Sequence, residues 1–172
     1  VWNGSSWTVD RSSTGLSLGS YNKYWVKLAA KPGSDEIAMI TLDSGYDVYG
    51  AIWSGSAWGN AQSLESSMSY YQYDSIAVEY MQSGTGAGKA MFTWLASTQL
   101  QSRIWNGSAW DAELPTSWYG GNGRWLTLKA DPNSNKLVAT IVDDQSDLSV
   151  AIWDGSAWSA LGKGAGVTFL AA

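Results

Sequence analysis

The stretch Trp53-Ser54-Gly55-Ser56-Ala57-Trp58 decides the fold, because the sequence contains it four times with small changes. Its companions are Trp2-Asn3-Gly4-Ser5-Ser6-Trp7, Trp105-Asn106-Gly107-Ser108-Ala109-Trp110 and Trp153-Asp154-Gly155-Ser156-Ala157-Trp158. The leading tryptophans stand 51, 52 and 48 positions apart. A period of that size marks a repeat architecture, in which each unit buries an apolar face against its neighbour. The match runs on upstream: Trp25 precedes Trp53 by 28 residues, and Trp125 precedes Trp153 by the same 28.

Each motif reads as a hairpin tip. Asn-Gly, Asp-Gly and Ser-Gly between extended residues form two-residue turns, since glycine accepts the positive φ such turns need. A turn at Ser54-Gly55 pairs Trp53 with Ser56, Ile52 with Ala57 and Ala51 with Trp58. Side chains alternate along a strand, so Trp53 and Trp58 then share a face as diagonal neighbours, with Ile52 and Ala57 on the other.

Two more extended runs precede each of the last three tips. They are 24–30 with 36–42, 75–81 with 90–96, and 124–129 with 137–142. Their connectors are rich in turn formers: Lys31-Pro32-Gly33-Ser34, 83–88 and Asp131-Pro132-Asn133-Ser134-Asn135. No stretch carries a helical period over 11 residues. The unit is therefore four short antiparallel strands in about 50 residues, the content of one β-propeller blade. The expectation is an all-β single repeat domain, a propeller or partial propeller of about three and a half repeats. It divides into a half blade at 1–20, blades at 21–66, 67–117 and 118–163, and the start of another at 164–172.

The W-[NDS]-G-S-[SA]-W hairpin resembles the blades of bacterial extracellular β-propeller repeat proteins. It is similar, more distantly, to the hairpins of fucose-binding propeller lectins and to the Asp-box of sialidase-type propellers. The resemblance implies a bacterial surface protein built of blades. In the fucose lectins an acidic residue stands three positions before the motif Trp, beside a strand Arg. Here those places hold Gly50, Ser102 and Val150, so that sugar site is not carried over.

Composition narrows the function classes. The chain has 172 residues, of which 45% are hydrophobic and 15% charged, with a net charge of −5. The aromatic content is skewed to 12 Trp and 9 Tyr against 2 Phe, residues whose polar tips suit half-wet surfaces. Ten scattered basic residues cannot neutralise a run of phosphates, which argues against nucleic acid. No apolar run approaches the roughly 20 residues of a membrane-spanning helix, so no membrane insertion is expected. Low charge with many Ser, Gly, Thr and Trp reads as extracellular or cell-surface. Beginning at Val1, the chain reads as a processed or excised piece.

With no His and no Cys, no Ser-His-Asp or Cys-His arrangement exists, and the usual zinc ligands are missing. Glycosidase chemistry needs two carboxylates across a cleft. The candidates Asp43, Asp47, Glu79, Asp143, Asp144 and Asp147 lie mostly in turns. Three arginines at unrelated repeat positions, Arg11, Arg103 and Arg124, do not make a sialidase clamp. Calcium is the one cofactor with candidate ligands, Asp143, Asp144 and Asp147, set against the plainer reading of Asx turns. No enzyme is expected.

Two binding readings remain. The first is a surface scaffold or filament subunit, working by protein interaction or self-assembly. Incomplete blades at both ends would close within a longer chain, or between copies in a dimer, ring or filament. The second is a carbohydrate-binding lectin, with sugars stacked on inter-blade aromatics: Trp53, Trp58, Trp105, Trp110, Trp153, Trp158, Trp118 and Tyr119. Against it, a Trp that recurs at every hairpin suits blade-to-blade packing. A propeller glycosidase is a distant third.

Overall fold

The computed structural model describes residues 2–8, 16–116 and 121–161. Within them the chain is all-β apart from one 3₁₀ turn, Gly84–Gly86. Sheet 1 comprises β1 (Lys23–Ala30), β2 (Ile37–Asp43), β3 (Val48–Trp53) and β4 (Trp58–Glu65). Sheet 2 comprises β5 (Ile76–Tyr80), β6 (Ala90–Ala96), β7 (Gln99–Trp105) and β8 (Leu114–Thr116). Sheet 3 comprises β9 (Gly123–Ala130), β10 (Leu137–Asp143), β11 (Leu148–Trp153) and β12 (Trp158–Leu161). Every sheet is an up-and-down antiparallel meander in chain order.

The registers make the three sheets superposable in sequence. Ala30 pairs with Ile37 and Ile37 with Trp53; Tyr80 with Ala90 and Ala90 with Trp105; Ala130 with Leu137 and Leu137 with Trp153. Val26, Ile76 and Leu126 therefore hold one repeat position, and Leu28, Val78 and Leu128 another.

The sheets pack face to face through two apolar joints. In the first, Ala38, Ile40, Leu42 and Ile52 of sheet 1 meet Ile76, Val78, Tyr80, Phe92 and Trp94 of sheet 2. In the second, Ala77, Met91, Leu95 and Ile104 of sheet 2 meet Leu126, Leu128, Leu137, Ala139 and Ile141 of sheet 3. Each sheet thus has a front face toward the next sheet in sequence and a rear face toward the preceding one. Sheet 2 is covered on both, which is why β6 is buried from Ala90 through Leu95 rather than at alternate positions. The first strands β1, β5 and β9 line a shared cleft of about 220 Å³ containing Leu28, Val78 and Leu128.

The hairpin tips depart from the expected register. Trp53 pairs directly with Trp58, and Trp2 with Trp7, Trp105 with Trp110 and Trp153 with Trp158, so four residues form the loop, not two. Ile52 opposes Gly59, not Ala57. The cause is the side chain that opens each loop. Asn106 Oδ1 accepts the backbone N–H of Ser108 and Ala109 at 3.0 Å each. Asn3 and Asp154 do the same, while Ser54 Oγ accepts only the Ala57 N–H. This Asx geometry needs a wider loop than a two-residue turn. Glycine is required at its tip: Gly55, Gly107 and Gly155 have φ of 94°, 99° and 102°.

Candidate functional site: open sheet faces and a tryptophan pocket

The tryptophan clamps have a common geometry. Ring centroids within the four pairs lie 5.6 to 5.8 Å apart with tilted or edge-on planes, a favourable aromatic arrangement. Their surroundings differ. Trp105 and Trp153 are each only 3% exposed, sealed within the first and second joints. Their partners reach back across those joints. The Trp110 indole N–H donates to the Asn60 carbonyl at 2.9 Å, and its ring stands so close over Gly50 that a Cβ there would lie 2.6 Å from it. The Trp158 N–H donates to Ser102 Oγ at 2.8 Å. Gly50 and Ser102 both precede the first motif Trp by three residues, so one docking contact is made twice.

At Trp53 and Trp58 no preceding sheet is present among the described residues. There the two rings, with Trp2, Trp7, Ala30, Ile37, Ser34, Asp35 and Gly55, line a pocket of about 800 Å³. Trp2 and Trp7 are well exposed. Of the sugar-stacking candidates, the structure therefore brings Trp53 and Trp58 into an open pocket and encloses Trp105 and Trp153. It leaves Trp110 and Trp158 half-buried against neighbouring sheets. Trp118 and Tyr119 lie outside the described residues, as do Arg11 and the segment 164–172.

The rear face of sheet 1 is likewise open along β1, whereas Thr41 and Ala51 on the same face are buried. Val26 and Leu28 are 51% and 59% exposed, whereas Ile76 and Val78 are 0% and 7%, and Leu126 and Leu128 are 3% and 4%. The front face of sheet 3 is open in the same way: Val138 is exposed where Ala38 and Met91 are fully buried. Thr140 and Val142 are half-buried where Ile40, Leu42, Thr93 and Leu95 are buried. Trp125, whose ring lies 5.6 Å from that of Tyr73 in the connector to sheet 2, stands beside this face. Its counterpart Trp25 donates its indole N–H to the Tyr71 carbonyl in the connector leading to sheet 2, while Trp125 is an exposed large aromatic. These open-face residues were not singled out from sequence. The repeat alignment that equates Trp25 with Trp125 is the signal that places them on a joint.

The acidic candidates organise turns. Asp43 is fully buried, accepts the N–H of Gly45 and Asp47 at 2.9 and 3.1 Å, and pairs with Lys23 at 2.7 Å. Asp143 accepts the N–H of Gly121, Gln145 and Asp147, each at 2.9 Å. Asp144 binds the backbone and side-chain amides of Asn122. The Asp47 carboxyl is raised above its usual value by burial and then by Asp43, with Lys23 opposing. Glu79 lies across the cleft, 3.4 Å from Lys129. No group of three or more metal-ligating side chains occurs among the described residues. Burial and the Glu36 carboxylate hold the Tyr80 phenol far above its ordinary pKa, and this bond at 2.9 Å ties the first joint at its rim.

Comparison of the chain with protein-family models and with curated proteins finds no match to either.

Proposed function

We propose that the chain is a non-catalytic β-propeller module of an extracellular or cell-surface protein, acting by protein interaction or self-assembly. The observation that carries this reading is the pair of open apolar faces. Val26 and Leu28 at one end and Val138 at the other are exposed at positions that the internal joints bury. Burying one large apolar side chain stabilises by about 1.5–3 kcal/mol, so faces like these mark places where another surface packs. Support for the propeller architecture comes from the three meander sheets stacked face to face and from β1, β5 and β9 sharing one cleft. The charge-poor, Trp- and Ser-rich composition supports the surface location.

The test is solution mass by light scattering on a sizing column across a concentration series. Mass that rises with concentration is the expected result. A monomer at every concentration, with no change when the protein is concentrated to hundreds of micromolar, would sink self-assembly.

Carbohydrate binding is the second reading, favoured by the four-tryptophan pocket beside Asp35. It predicts saturable Trp fluorescence change with an oligosaccharide, lost in Trp53→Ala. A glycosidase is less well supported, since Asp35 is the one carboxylate lining that pocket among the described residues and the reaction needs two.

A further inference from the structure

We propose that the partner for these open faces is a second copy of this chain, bound head to tail. The front face of sheet 3 in one copy, with Val138, Thr140 and Val142, packs on the rear face of sheet 1 in the next, with Val26 and Leu28. This rests on the assembly reading above and adds its partner, its polarity and its residues.

The two internal joints are the template. Each sets the front of one sheet against the rear of the next, with aliphatic side chains on both sides. The chain leaves one rear face and one front face unpaired among its described residues, and each is of the kind the other receives. Repeat position also supplies the finer contacts. Trp110 stands on Gly50 and Trp158 bonds Ser102, so Trp58 of one copy takes the place over Val150 of its neighbour. The Ser102 contact shows that a side chain at that position is accommodated. Trp25 donates to the Tyr71 carbonyl, and the residue four positions before Trp25, as Tyr71 is before Ser75, is the exposed Tyr21. Trp125 of one copy therefore meets Tyr21 of the next. A foreign protein would satisfy the apolar area but has no reason to match both faces at once.

The two faces differ, so the contact is heterologous. It propagates from copy to copy and gives a closed ring or an open filament according to the rotation per copy. A two-fold dimer uses one face twice and is a different geometry.

Two variants of the full chain test this. Leu28→Asp spoils the rear face and leaves the front intact; Val138→Asp does the reverse. Both positions are exposed, and circular dichroism checks that each variant is folded; Val26→Lys and Val150→Lys replace a variant that is not. Wild type is expected to give concentration-dependent oligomers and each variant alone a monomer. An equimolar mixture of the two is expected to give a one-to-one pair that grows no further, because each member retains the face the other needs. A mixture that stays monomeric overturns the head-to-tail joint. So does a Val138→Asp variant that still dimerises while Leu28→Asp does not, since that is a two-fold contact through sheet 1. Either result leaves self-assembly standing, whereas a monomeric wild type removes both readings.

Discussion

Asp43 shows how much one side chain can carry in this fold. Its carboxylate is out of water, holds two backbone N–H groups of the β2–β3 turn, and faces Lys23, which is partly exposed. Removing the carboxylate leaves two turn N–H groups without their acceptor, at about 1–3 kcal/mol each where water cannot reach them, while Lys23 stays partly solvated. Asp43→Ala is expected to lower the unfolding free energy by that order in urea titrations; a loss below about 1 kcal/mol would show that solvent reaches the turn and takes over these bonds. Asp154 is the contrasting case, fully exposed at a hairpin tip. Bonds from the Ala157 and Ser156 N–H groups and the Ser156 hydroxyl depress its carboxyl below the ordinary 3.8. The folded pKa is the lower one, so the tip's contribution to stability is present above the unfolded value and fades as pH falls through the folded one. The Ser156 and Ala157 amide resonances should titrate with a midpoint below 3.8, and Asp154→Asn should abolish the titration while keeping the loop, as Asn3 and Asn106 do. A midpoint at or above 3.8 would contradict the bonding. At this scale the sequence was legible for turn roles and opaque for burial. Trp53, Trp105 and Trp153 sit in near-identical hexapeptides, yet only the preceding sheet decides whether each is covered.

At the scale of the element, strands were readable and the tip register was not. The runs 24–30, 90–96 and 137–142 match β1, β6 and β10 to within a residue or so, because apolar patterning and turn residues both act locally. The dipeptide rule for Ser54-Gly55 failed because it weighs backbone preference and ignores the side-chain oxygen that organises the loop. The same tips then act as joint clasps, which gives a matched pair of substitutions. Trp110→Ala removes a ring packed on Gly50 and Phe92 together with its bond to Asn60, and should cost about 3 kcal/mol. Trp58→Ala removes the same residue where no preceding sheet receives it, and in the monomer should cost under about 1 kcal/mol, as surface changes do. Equal losses in denaturant unfolding would mean that the clamp works within its hairpin and contributes nothing across the joint. Gly50→Val crowds the first joint, which is built around a glycine where the second joint is built around Ser102. Its Cβ would lie 2.6 Å from the Trp110 ring, and overpacking of this kind costs about 1–3 kcal/mol.

Across the whole molecule, stability is distributed as in a stack, where each unit is held by its neighbours. Sheet 2 takes part in both joints and contains the largest fully buried side chains, Trp94, Tyr80 and Phe92, whereas sheets 1 and 3 each have one face without a neighbouring sheet among the described residues. Amide protection should follow that order in the dilute protein. The β6 amides should exchange only by global unfolding, and those of β1 and β10 by cheaper local openings that expose little further apolar surface. Raising the protein concentration separates this from ordinary edge fraying. If copies join through the outer faces, binding stabilises the bound form by mass action, and the benefit falls first on the elements at the contact. Hydrogen exchange at two concentrations should therefore slow in β1 and β10 and leave the local exchange of the β8 edge unchanged. An increase spread evenly over all three sheets would point instead to global stabilisation by a contact elsewhere. Slowing confined to β4, the outer strand of sheet 1, would put the contact at a strand edge, in place of the face bearing Val26 and Leu28.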